Sequence, residues 1–101
     1  MITLDRLATH ALALDGVRER TSGGRSGWYV AGRLVMRQED DESVVVRSDF
    51  DERERLVAEH PETFSVPPAL ESHMKVMVDL VRGDESAACA AVTAAWELQR
   101  R

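Results

Sequence analysis

Cysteine and lysine are each present once, as Cys89 and Lys75, and no apolar run approaches the length of a bilayer. A single thiol excludes an intramolecular disulfide or a zinc site built from several cysteines of one chain, and it fits a reducing compartment. A transmembrane helix needs roughly 20 predominantly apolar residues, so no membrane partner is expected. Met1 is followed by Ile2, Thr3, Leu4 and Asp5, without the basic start and unbroken apolar stretch of a secretory leader. The expectation is therefore a cytoplasmic protein. Positive charge is also in deficit, with thirteen basic residues against eighteen acidic ones and a formal charge of -5. At long range such a field repels phosphate backbones and anionic lipid, so any nucleic-acid contact needs a local patch.

What is present belongs to an ordinary globular chain. Hydrophobic residues make up 44% of the 101 positions and charged residues 31%, enough for one core and a single domain spanning residues 1–101. Leu4, Leu7, Ala8, Ala11 and Leu12 fall on one helical stripe, which predicts a first helix over 4–14 with Thr3 as cap and Gly16 beyond its end. The run from Thr21 to Gly27 reads as a Gly-rich loop. Trp28–Val30 and Arg33–Gln38 read as strands around an Ala31-Gly32 turn, and Ser43–Ser48 as a third strand after the acidic turn from Glu39 to Glu42. Val44, Val45 and Val46 are consecutive, which makes both faces of that strand apolar and places it centrally.

Asp51 and Glu54 have capping-box spacing ahead of Leu56 and Val57, which predicts a second helix limited by Pro61. Thr63–Val66 is a brief strand next to Pro67 and Pro68, and Met74–Val81 a longer one interrupted by Asp79. A last helix runs from Asp84 or Ser86 to Arg100, with Ala88, Val92, Ala95 and Trp96 on its buried side. The predicted class is α+β. It has a mainly antiparallel sheet of about five strands, a helix at each end of the chain and one helix between strands three and four, in the order α-β-β-β-α-β-β-α.

Leu14-Asp15-Gly16-Val17, the Gly-rich loop, the string from Trp28 to Arg33, the string from Asp51 to Leu56, and Pro61-Glu62-Thr63-Phe64 stand in an order that resembles the MmcQ/YjbR family over nearly the whole chain. That resemblance implies a bacterial protein with a compact α+β fold, grouped with CyaY-like folds and compared with a double-wing DNA-binding fold. It also implies DNA as a partner. Asp15 stands where that family usually has proline, and Lys75 where an aromatic residue commonly opens the late strand.

Arg33, Arg37 and Arg47 are the candidate nucleic-acid contacts, because guanidinium groups on paired strands clasp phosphates while Trp28 or Tyr29 stacks on a base. The alternative is a solvated face on which these arginines pair with Glu39 and Asp40. An undisturbed four-residue turn puts Arg47 opposite the face of Arg37, and a bulge reverses that.

Other constellations fall short of chemistry. His10, His60 and His73 lack the i, i+4 pairing of helical metal sites. The acidic turn lacks the alternating ligands and central glycine of a calcium loop. Gly23 to Gly27 has no Walker lysine and no following helix, no serine sits in a nucleophile elbow, and Cys89 has no basic residue beside it in the sequence. The reading is non-enzymatic, with no metal or cofactor. Two rivals to DNA binding stand beside it: a homodimerising or protein-docking module using the apolar strands, and a small-ligand pocket between sheet and helices around Trp28 and Phe64.

Overall fold

A computed structural model describes all 101 residues. The first helix, α1, spans Leu4–Leu12; the Thr3 hydroxyl accepts from the Arg6 amide at 3.2 Å, and Leu7 and Ala11 are its buried residues. Four strands follow: β1 (Val17–Ser22), β2 (Arg25–Val30), β3 (Arg33–Asp40) and β4 (Ser43–Arg47). Helix α2 covers Phe50–Glu59, then come β5 (Phe64–Ser65), a single 3-10 turn at Pro68–Leu70, β6 (Lys75–Asp79) and helix α3 (Glu85–Arg100).

The sheet has six antiparallel strands in the spatial order β1-β2-β3-β4-β6-β5. The α+β class and the antiparallel sheet agree with the sequence, whereas the strand count and the place of the middle helix are corrected. The stretch Thr21–Gly27 is not a loop. It is a hairpin that turns on Gly23 and Gly24 alone, at φ +59 and +78, the doubly positive pair a two-residue turn with matching twist requires. This adds a strand ahead of Trp28 and moves the middle helix to a position between β4 and β5.

Smaller corrections have equally local causes. The cap of α2 is Asp49, whose carboxylate accepts from the Glu52 amide at 2.8 Å, two residues ahead of the expected Asp51. Strand β6 ends at Asp79 because its carboxylate turns back to accept from the amides of Val81 and Arg82, at 2.9 and 3.0 Å. Asp84 caps α3 by accepting from the Ala87 amide at 2.9 Å. The first helix stops at Leu12, short of Leu14.

One core of 20 buried residues holds these elements together. Val44 and Val46 from β4, Val76 and Val78 from β6, Phe64, Trp28 and Met36 meet the buried residues of all three α-helices there, Leu56 being the contribution of α2. Burying each such side chain contributes about 1.5–3 kcal/mol. Val45 and Leu70 are also buried but lie outside this cluster. Alternation explains Val45: it points away from the helices, on the side of the sheet opposite Val44 and Val46. No helix is long and apolar enough to cross a membrane.

Candidate nucleic-acid interface

Residues directly opposite each other in an antiparallel ladder share a face. Reading the register across the sheet gives the row Arg20, Gly27, Arg37, Val45, Met77 and Ser65, all on the side away from the helices. Two residues along on that side are Arg47 opposite Lys75, and Arg18 opposite Tyr29. Arg25 pairs with Ser22 and alternates onto the same face. Arg18, Arg20, Arg25, Arg37, Arg47 and Lys75 are thus six of the thirteen basic residues, collected on one surface of a chain whose formal charge is -5.

Arg37 and Arg47 share this face because β3 is irregular. Gln38 pairs with Val44 and Asp40 with Ser43, so Glu39 is an extra residue, and the turn that follows contains only Asp41 and Glu42. A bulge of this kind shifts the register by one and brings Arg47 to the side of Arg37. Two of the four acids at this end, Glu39 and Asp40, are engaged. Glu39 pairs with Arg37. Asp40 accepts from the Glu42 amide at 2.8 Å and the Ser43 hydroxyl at 2.9 Å. The Glu42 amide, followed by the Ser43 hydroxyl, holds the Asp40 carboxyl below the usual carboxylate range.

Arg33 does not join them. It lies opposite Val30, on the helix side, and its guanidinium donates to the carbonyls of Gln99 and Arg101 at 3.4 and 3.1 Å, neutralising the negative end of α3. Trp28 is likewise corrected: its side chain is 2% exposed, faces the core, and has its indole nitrogen buried without a partner. No base can stack on it. A second bulge separates these outcomes, because β3 has Val35 as an extra residue between the pairs Trp28–Met36 and Tyr29–Leu34.

Tyr29 remains on the cationic side, half-buried, with the Arg20 guanidinium 4.5 Å from its ring centroid. A Cβ on Gly27 would sit 2.8 Å from Tyr29 Cε1, so the ring lies across the glycine and only glycine fits beneath it. Burial lowers the pKa of Lys75 from its ordinary value, and the nearby charges of Arg37 and Arg47 lower it further. The Arg47 Nε is buried and has no hydrogen-bond partner. Unpartnered cations held close together are the electrostatic condition for binding an anion.

Arg18, Arg20, Arg25 and Lys75 were missed from sequence. The signal was available in the alternation of Arg18 and Arg20 before Gly23-Gly24: a two-residue turn there puts Arg20 and Arg25 on one face. The remaining candidates are structural in their surroundings. His10 bonds Thr93 at 2.8 Å, His60 lies 3.7 Å from Glu62, and no three His, Cys, Asp or Glu side chains gather in a metal-holding group. Burial, followed by the charge of Glu85, raises the pKa of the Cys89 thiol. Trp96 donates to the Asp15 carbonyl at 2.8 Å and carries Arg100 over its ring. Phe64 and Trp28 are sealed in the core, so they frame no ligand pocket. Comparisons with protein-family models, with curated proteins and with solved structures return no match for this chain.

Proposed function

We propose that this chain is a non-enzymatic, MmcQ/YjbR-like nucleic-acid-binding protein whose binding surface is the sheet face turned away from its helices. The observation that carries this reading is the gathering of six cations around Tyr29 and the Arg20–Arg37–Val45–Met77 row, while two of the acids at the rim, Asp40 and Glu39, are occupied by the turn and by Arg37. Local charge of this density overrides an unfavourable net charge because screening confines interactions between exposed charges to about 8–10 Å at physiological salt.

Fluorescence anisotropy with short single- and double-stranded DNA across a salt series tests it. Binding should weaken steeply with salt, and replacing both Arg37 and Arg47 with alanine should flatten the logarithmic slope by about 1 for each phosphate no longer neutralised. Arg33→Ala, on the opposite side, should leave the slope unchanged. Absence of binding at low salt, or an unaltered slope in the Arg37 and Arg47 variant, would reject the assignment.

A further inference from the structure

Between β1, β2 and β3 the cationic face dips into a concavity of about 250 Å³ lined by Arg20, Ser22, Arg25, Gly27, Tyr29 and Arg37 among others. We infer that this concavity receives a terminal phosphomonoester, the phosphate at the end of a nucleic-acid strand. The inference deepens the proposed function and rests on it.

Three guanidinium groups reach the concavity from three different strands, so they approach a bound group from separate directions. Tyr29 lies over Gly27 and holds the plane of Arg20 by stacking, while Glu39 fixes Arg37. Arg20 and Arg25 form no salt bridge within the chain, which leaves their donors without a carboxylate partner, although the charge of Arg25 reaches Asp40. With Glu39 and Asp40 counted against the three arginines, the site stays positive.

A terminal monoester offers three unsubstituted oxygens and a charge of about -1.5 to -2 at pH 7. An internal diester offers two such oxygens and a single charge, a poorer match in charge to three guanidinium groups. Size points the same way. The volume falls below the roughly 300–1,000 Å³ of pockets that enclose drug-sized ligands, and suits a phosphate with part of its sugar.

The test is anisotropy with one oligonucleotide sequence carrying a 5′-phosphate, a 3′-phosphate or hydroxyl ends, each labelled at the end not under test, using the full chain. One phosphorylated form should bind on the order of tenfold more tightly than the hydroxyl form, the scale of one added charge-assisted hydrogen bond. That preference should shrink as pH falls below about 6, where the phosphate loses its second charge. Arg25→Ala should erase the preference, whereas Arg47→Ala, outside the concavity, should weaken all forms and keep their ratio.

Equal affinity for phosphorylated and hydroxyl ends would overturn this inference and leave the nucleic-acid reading standing. A preference that survives Arg25→Ala would also overturn it, by placing the phosphate elsewhere. Failure of every oligonucleotide to bind would end both readings. Titration with inorganic phosphate then separates the sources: competition that removes only the phosphate-dependent part supports the strand-end site, and binding of inorganic phosphate without any oligonucleotide binding rejects it.

Discussion

The two faces of the sheet are built from the same strands and solve opposite problems. On β4, Val44 and Val46 meet the helices while Val45, between them, is buried on the opposite side, paired with Arg37 and Met77 on the neighbouring strands. On β6, Val76 and Val78 alternate in the same way with Lys75, Met77 and Asp79. The helix side gains stability from close packing. The opposite side carries cations without enough acids to match them; burial works against the charge of Lys75, and the Nε of Arg47 is buried without a partner. Surfaces that cost stability in this way are where binding is to be sought.

Breaking the packed face should have the largest effect. Phe64 is 1% exposed, and Phe64→Ala should cost about 3–5 kcal/mol in urea or guanidinium unfolding, the scale of a large core truncation. A cost of less than about 1 kcal/mol would show that the cluster is not closely packed there.

A sharper comparison uses adjacent residues. Val46→Ala should cost about 2 kcal/mol, because helices and strands on all sides keep the void open. Val45→Ala should cost about 1 kcal/mol, because long flexible side chains above it can settle into the gap. Equal costs would mean that the outer face is as rigidly packed as the inner one.

Lys75 should give the smallest effect and the most informative sign. Its pKa in the folded chain lies below the ordinary 10.5 through burial first and Arg37 and Arg47 next. Between that lowered value and 10.5 the unfolded chain binds more protons, so stability from this group rises with pH across that window, and below it the full cost of the buried charge is present. Lys75→Met should therefore raise the melting temperature at neutral pH and remove part of the alkaline rise. Added sulfate should stabilise the natural chain more than the variant. A lower melting temperature in Lys75→Met would show that the lysine makes a favourable contact.

Much of the packed face was legible in the sequence because it obeys simple periodicities. The stripe from Leu4 to Leu12, the three consecutive valines and the Ala31-Gly32 turn each specify one element through local chemistry. The cationic face was harder to read for two physical reasons. Strand β1 is an edge strand, exposed at every residue after Val17, so Arg18-Glu19-Arg20-Thr21-Ser22 carries no apolar alternation to announce it. Its charges also blunt edge-to-edge pairing. The two bulges on β3, at Val35 and Glu39, then decide which of Arg33, Arg37 and Arg47 share a side. A one-residue change of register inverts a face, and neither bulge is marked by glycine. Caps were misplaced by the same kind of ambiguity: Asp49 and Asp51 both suit the start of α2, and the chain path selects the first.

Whether the sheet face opposite the helices is the nucleic-acid surface is best decided by mapping amide NMR shifts during titration with a short oligonucleotide at low salt. The shifts should concentrate at Arg18, Arg20, Gly27, Tyr29, Arg37, Val45, Arg47 and Lys75, with α1 and α3 quiet. Shifts centred on the helices, or none at all, would contradict that assignment.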